Sequence, residues 1–194
     1  EPWTAGGNYG PLIGAYPAAS VGGDDRGWGE WNARFRDWWR AFVNDDDWVL
    51  NSQEGSADGG FVMTGSEGQY IHNGRKPFHS VNFVTCHDGF TLYDLFTYDQ
   101  KRNGCSPLNP VCCSSPASPW CQQDDGEEHN RSRNWGVDQE VFKRQQMRNL
   151  LTAMMISHGT PMLLGGDEWM RTQLGNNNAY STGSDNPFNW FQWG

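Results

Sequence analysis

The chain has 194 residues, a formal net charge of −9 and a pI near 4.9. Nucleic acid and anionic membrane surfaces are disfavoured as partners, because an acidic surface of this kind is repelled by both. The apolar runs are far too short to span a membrane. Eleven tryptophans and 24 glycines instead favour long structured loops lined by aromatic side chains.

The first half of the chain predicts one helix and one strand. After a glycine- and proline-rich stretch at 1–27, aromatic residues at helical spacing predict an amphipathic helix over 28–43 whose aromatic stripe lies in the core. The stripe consists of Trp28, Trp31, Phe35, Trp38 and Phe42. An apolar run then predicts a strand over 80–87 that ends at His87, directly before Asp88.

The second half predicts a long loop, a helix and a second strand. The loop covers 99–136, and loops of this length in a compact domain tend to be functional. The helix covers 139–158, with an apolar face formed by Met147, Leu150, Leu151, Met154 and Met155. The run at 161–164 predicts a fully buried strand, which is followed by Asp167 and Glu168.

The alternation of helices with buried strands predicts an α/β fold with a parallel sheet. In a (β/α)₈ barrel, functional side chains follow the carboxyl ends of the strands. Asp88 and Asp167 would then lie on the same face, together with their neighbours in sequence. The pattern therefore predicts a pocket lined by carboxylates and aromatic rings.

Four of the five cysteines lie within 17 residues, inside the long loop: Cys105, Cys112, Cys113 and Cys121. Their spacing is not that of a zinc site. Two disulfides, with three possible connectivities, are favoured over four reduced thiols. Such disulfides would favour a secreted or periplasmic protein, while a cytoplasmic location stays open. Cys86 is expected to be a small buried hydrophobe.

Several segments together resemble the alpha-amylase superfamily of glycoside hydrolases, and most closely its isoamylase and glycogen-debranching branch. They are EPW at 1–3, GWGEWNARFRDWWRAF at 27–42, NFVTCHDGFTLYDL at 82–95, NRSRNWG at 130–136, GTPMLLGGDE at 159–168 and GNNNAY at 175–180. The matches occur in family order and span nearly the whole chain.

The resemblance implies an α/β fold in the form of a partial (β/α)₈ barrel, from the end of strand five through the loop after strand seven. Residues 1–194 would be the C-terminal part of the catalytic domain. Strands one to four, strand eight and the C-terminal β-domain are expected to lie outside the chain. The nucleophilic aspartate and its arginine are expected upstream of Glu1, so we expect the isolated segment to be inactive and marginally folded.

The resemblance also implies roles for individual residues. Glu1 would be the general acid/base, and Asp88 would stabilise the transition state of a retaining mechanism. Residues implied to bind the substrate are His87, Trp3, Asn177, Asn178 and Tyr180. Asp167 and Glu168 are interpreted as loop anchors rather than catalytic groups.

The implied activity is cleavage of α-1,6 branch linkages in glycogen, starch or amylopectin. Two alternatives stay open: another α-glucan hydrolase or transferase of the superfamily, and a non-catalytic glucan-binding subunit. The expected partner is a branched α-glucan, with neither nucleic acid nor membrane. No cofactor or metal is predicted from this segment, although some family members hold calcium. The sequence does not predict an oligomeric state.

Overall fold

The computed structural model describes residues 3–4, 29–44, 59–70, 76–104, 126–180 and 187–191. The chain divides into two compact units. We call the first the sheet unit; it contains Glu1–Val84 and Arg148–Met162. We call the second the loop unit; it contains Thr85–Met147 and Leu163–Gly194.

The sheet unit contains four short parallel strands that lie side by side in chain order. They are β1 (Trp3–Thr4), β2 (Glu30–Asn32), β3 (Ser80–Asn82) and β4 (Thr160–Pro161). In the register of the sheet, Trp31 of β2 lies opposite Val81 of β3, and Val81 lies opposite Thr160 of β4. The prediction of an α/β fold with a parallel sheet is confirmed.

The first predicted helix begins later than predicted, because its first residues form β2. Helix α1 is Ala33–Asn44. Asn32 caps it, since its Oδ1 accepts a hydrogen bond from the N–H of Phe35 at 2.9 Å. Trp31 falls on the helical spacing but lies in the strand, where its ring packs on Phe83 with 5.5 Å between centroids. The predicted start of this helix at residue 28 was therefore wrong.

The aromatic stripe of α1 is only partly a core face. Phe35 is fully buried and Trp38 is 6% exposed, as predicted. Phe42 is 56% exposed, although its ring stacks on that of Trp38 at 5.0 Å. The prediction of a core position was wrong for Phe42.

Within the described ranges, the other helices are α2 (Gly59–Met63), α3 (Glu67–Tyr70) and α4 (Glu140–Ile156). Single 3₁₀ turns occur at Pro77–His79, Asp94–Phe96, Val137–Gln139 and Asp167–Trp169. Helix α4 confirms the second predicted helix and buries Met147, Leu150 and Met154, but Met155 is 53% exposed. No helix in the described ranges is long and apolar enough to cross a membrane.

Both predicted strands are shorter in the structure. The ladder of β3 stops at Asn82, so the strand predicted over 80–87 covers only its first three residues. The last strand was predicted as fully buried, whereas both residues of β4 are exposed and Leu163 is 50% exposed. The reason is that β4 lies at an edge of the sheet, and no other described strand pairs with its outer side.

A buried polar network connects the strands of the sheet unit. Asn32 Nδ2 donates to Ser66 Oγ at 3.0 Å and to Ser80 Oγ at 2.8 Å. Ser80 Oγ donates to Asn82 Oδ1 at 2.7 Å, and Asn82 Nδ2 donates to the carbonyl of His158 at 2.9 Å. The network joins β2, β3 and the turn before β4, and it satisfies polar groups that would be costly to bury alone.

Candidate active site

His87, Asp88 and Tyr180 form an exposed cluster in the loop unit. Tyr180 Oη donates a hydrogen bond to Asp88 Oδ1 at 2.7 Å. His87 Nε2 lies 3.8 Å from Asp88 Oδ2, and the rings of His87 and Tyr180 meet edge to face with 4.7 Å between centroids. The side chains of His87 and Asp88 are 32% and 37% exposed. A carboxylate, an imidazole and a phenol are thus partly exposed to solvent side by side.

The backbone turns sharply directly after Asp88. Gly89 has a φ of +87°, a conformation that glycine adopts without strain from a Cβ atom. Its N–H donates to the carbonyl of Asn177 at 2.9 Å. This bond joins the turn to the GNNNAY segment that carries Tyr180. Cys86, beside the cluster, is buried, and this confirms the prediction that it is a small buried side chain.

Asn177 is a buried junction between three described segments of the chain. Its Nδ2 donates to the carbonyl of Glu127 at 2.7 Å and to Asn130 Oδ1 at 3.0 Å. Its Oδ1 accepts from Asn103 Nδ2 at 2.8 Å. A Cβ atom at Gly126 would lie 2.6 Å from that oxygen, so the close approach requires glycine. Both N–H donors of the Asn177 amide are therefore already used within the protein.

Asn178 is also buried, at 9% exposure. Its backbone N–H donates to Asn176 Oδ1 at 2.9 Å, which shapes the turn before Tyr180. Of the substrate-binding residues implied by the resemblance, the structure thus brings His87 and Tyr180 to an exposed surface beside Asp88. It places the two asparagines in the supporting layer, and their direct contact with a substrate stays a prediction.

Asp167 is a buried anchor, at 1% exposure. Its Oδ1 accepts a hydrogen bond from the N–H of Leu92 at 3.0 Å, and its Oδ2 accepts one from the hydroxyl of Thr85. These two partners lie on either side of His87 and Asp88 in the sequence. The predicted anchoring role is confirmed for Asp167, which fixes both ends of the segment that carries the cluster.

Asp94 is a second buried anchor, at 0% exposure. Its Oδ2 accepts hydrogen bonds from the N–H groups of Gln173 at 2.8 Å and Gly175 at 3.3 Å, and its Oδ1 accepts one from the hydroxyl of Thr172. Burial raises the pKa of Asp94 above its ordinary value, while these three hydrogen bonds act in the opposite direction. The carboxylate holds the chain five to eight residues before Tyr180.

We call Asp94 and Asp167 together the carboxylate clamp. Each belongs to one of two segments, 85–98 and 163–180, and each accepts a backbone N–H from the other segment. Arg171 lies close enough to interact electrostatically with both; burial lowers its pKa, and the two carboxylates oppose that shift. The clamp gives two irregular segments a fixed mutual position without a strand ladder.

Asp94 was not among the residues predicted from the sequence. A signal was present, because Asp94 is the one charged residue in the run FTLYDLF at 90–96. A charge inside such an apolar run is expected to be buried, and a buried charge needs strong hydrogen-bond partners.

Several predicted features lie outside the described residues. Glu1 is among them, and only the backbone of Trp3 is described, in β1. The four cysteines of the long loop also lie outside, so their pairing stays a prediction. Within the described ranges, no group of three or more His, Cys, Asp or Glu side chains is placed to hold a metal ion.

The chain is similar over its whole length to isoamylases and to a glycogen operon protein. It is 40% identical over 193 residues to an isoamylase from a Flavobacterium species, covering 22% of that protein. It is 37% identical to the chloroplastic isoamylase 1 of Arabidopsis thaliana (22% covered) and 38% identical to the glycogen operon protein GlgX homolog of Mycobacterium tuberculosis H37Rv (24% covered). The resemblance to isoamylases is confirmed. The chain spans about a fifth of the length of these curated relatives.

No protein-family model matches the sequence. Among solved structures, pullulanase from Bacillus acidopullulyticus aligns with 84% of this chain and 16% of its own, at 23% identity and a TM-score of 0.45. That score is too low to support an argument about the fold.

Proposed function

We propose that the chain is a segment of a glycoside hydrolase that cleaves α-1,6 branch linkages of glycogen, starch or amylopectin. The observation that carries the proposal is the exposed cluster of His87, Asp88 and Tyr180. It lies in segments that resemble the debranching branch, within a chain that is 40% identical to an isoamylase over its length.

We propose further that the four strands are the second half of a (β/α)₈ barrel. Neighbouring strands follow chain order without the reversal that marks doubly wound sheets, and this order is that of a barrel. If β1 is strand five, adjacency makes β2, β3 and β4 strands six, seven and eight. The resemblance implied a chain that ends after strand seven. The proposed numbering has one strand more, because β2 lies where the sequence predicts the start of a helix.

Asp88 is proposed to be the carboxylate that stabilises the oxocarbenium-like transition state. A fixed anion beside a developing cation stabilises it by several kcal/mol when the site is preorganised. His87 and Tyr180 can hydrogen-bond sugar hydroxyls on either side of that carboxylate. Glu1 is proposed as the acid/base of the retaining mechanism, with the nucleophile supplied by the rest of the protein.

The proposal is tested with the protein encoded by the complete reading frame that contains this chain. Reducing ends released from amylopectin and from amylose are measured side by side, together with iodine colour. Debranching predicts release from amylopectin only, with increased iodine colour as linear chains are freed.

Two results would contradict the proposal. Equal release from both substrates would identify an α-glucan hydrolase that acts on linear linkages. No release by a folded protein that is still retained on immobilised glucan would identify a non-catalytic glucan-binding subunit.

A further inference from the structure

Asp88 is connected to Asp94 along the backbone, and Asp94 is connected by hydrogen bonds to the segment that carries Tyr180, a partner of Asp88. Six residues after Asp88, the carboxylate of Asp94 holds the N–H groups of Gln173 and Gly175. A few residues further along that segment, Tyr180 returns a hydrogen bond to Asp88 Oδ1. The position of the Tyr180 hydroxyl thus depends on how the segment before it is held.

The backbone in and beside the segment held by Asp94 is strained at two positions. Met170 and Leu174 both have left-handed backbone conformations, with φ of +61° and +55°, which a Cβ atom makes unfavourable. The N–H of Leu174 donates to Thr172 Oγ1 at 2.9 Å, and the same hydroxyl binds Asp94. A loop strained at two positions persists only where its surroundings fix it. Asp94 provides three of the hydrogen bonds that fix it, and Asn189 and Arg102 provide others.

We propose that Asp94 is a positioning residue, which acts through Tyr180 to orient the carboxylate of Asp88. This inference rests on the proposed function. Asp94 makes no contact with Asp88 among the contacts of the described residues, and the proposed route runs along the segment 172–180, past Asn177, which has its own partners in Asn103 and Asn130. Removal of the clamp at Asp94 is expected to release the Tyr180 hydroxyl from Asp88 and to leave the Asp88 carboxylate in several orientations.

The chemistry of the clamp separates two substitutions at Asp94. In Asp94→Asn, the amide oxygen can still accept from Gln173 and Gly175, and the amide N–H can donate to Thr172 Oγ1. In Asp94→Ala, all three donors lose their acceptor. A positioning role therefore predicts that asparagine retains most of the activity and alanine does not.

The test measures kcat and KM of the complete protein on a branched glucan. The variants are Asp94→Ala, Asp94→Asn, Tyr180→Phe and the double variant that combines Asp94→Ala with Tyr180→Phe. Tyr93→Phe is a matched control, because it also removes one tyrosine hydroxyl bond to a carboxylate, that of Tyr93 to Glu140 at 2.9 Å. Thr172→Val replaces Asp94→Ala should the latter fail to fold, because it removes one bond of the clamp and keeps the carboxylate.

We expect Tyr180→Phe and Asp94→Ala each to lower kcat about tenfold, a typical loss for a mispositioned site. In the Tyr180→Phe background, Asp94→Ala is expected to lower kcat less than about twofold further, because both act through the same bond. Asp94→Asn is expected to stay within about threefold of wild type, and Tyr93→Phe within about twofold. Thr172→Val is expected to lower kcat with the same non-additivity.

Two results would overturn the inference. Losses that multiply in the double variant would show that Asp94 acts independently of Tyr180. An unchanged kcat in Asp94→Ala or in Thr172→Val would show that the clamp has no part in positioning. Failure of the proposed function is distinguishable, since the wild-type protein would then release either no reducing ends or equal amounts from amylopectin and amylose.

Discussion

The sheet unit and the loop unit differ in the interactions that stabilise each of them internally. In the sheet unit, four parallel strands and apolar side chains such as Phe35 and Leu150 form the core. In the loop unit, buried carboxylates and amides join residues that lie 74 to 82 positions apart. Both units bury apolar side chains, among them Phe90 and Leu95 in the loop unit. The difference is that a strand ladder sets the backbone of the sheet unit, whereas buried carboxylates and amides fix the irregular backbone of the loop unit. The candidate active site lies in the second kind of structure.

The largest expected effect is in the sheet unit. Phe35→Ala removes a fully buried ring and should lower the free energy of local unfolding by about 3–5 kcal/mol. Phe42→Ala, on the same helix, should cost about 1 kcal/mol or less, because Phe42 is exposed and only stacks on Trp38. Hydrogen exchange of α1 in the two variants measures both values, and equal losses would contradict the assigned burial.

The next effect is in the loop unit. Asp167→Ala leaves the N–H of Leu92 and the hydroxyl of Thr85 without their acceptor and should cost about 3 kcal/mol locally. Hydrogen exchange is expected to increase over 85–92. The neighbouring Glu168→Gln, at an exposed carboxylate, is the control and should change exchange there little. Faster exchange throughout the sheet unit instead would show that the anchor is not local.

A smaller loss of stability is expected from substituting two glycines, one in a crowded position and one with space for a Cβ atom. Gly159→Ala places a Cβ atom 2.6 Å from Asn82 Nδ2 and 2.8 Å from the carbonyl of Ser80, at a φ of +132°. We expect a loss of about 2 kcal/mol from strain and displacement of the polar network. Gly136→Ala has a similar φ, +95°, but its nearest neighbour is 3.9 Å away, so it should cost about 1 kcal/mol. Equal losses would show that the contact with Asn82 is unimportant.

The smallest effect is the pH dependence contributed by Asp94. Burial raises the folded-state pKa of Asp94 above its ordinary value of 3.8, so the folded state keeps this proton to higher pH than the unfolded state. The associated stability is fully present below the ordinary pKa and is lost as the pH rises through the folded-state pKa. Asp94→Asn has no such titration.

This difference is measured as the gap in Tm between wild type and Asp94→Asn, from about pH 4 to about pH 7. The wild type is expected to lose stability relative to the variant as the pH rises. A gap that stays constant, or that moves in the opposite direction, would contradict the assigned burial of the carboxylate.

The sequence was sufficient for α4 and for the parallel sheet, because apolar spacing over many residues distinguishes a helix from a strand. It was insufficient for β2, whose three residues continue the aromatic spacing of α1. Asn32 was an available signal for the helix start, since asparagine is a preferred cap.

In the loop unit, the resemblance identified the segments that bring His87, Asp88 and Tyr180 together. The resemblance did not predict the burial of Asn177. This burial depends on partners from two other segments of the chain, among them Asn103 and Asn130. The partners of Asp94 were equally inaccessible. They include backbone N–H groups, which nearly every residue carries, so the sequence contains no pattern that identifies them.

The central claim is that Asp88 belongs to the catalytic centre of a debranching hydrolase. The most direct measurement compares kcat of the complete protein with that of Asp88→Asn on amylopectin, with the exposed Asp138→Asn as the matched control. We predict a loss of at least about a hundredfold for Asp88→Asn with unchanged folding, and wild-type activity for the control. A folded Asp88→Asn variant that keeps wild-type activity would contradict the account.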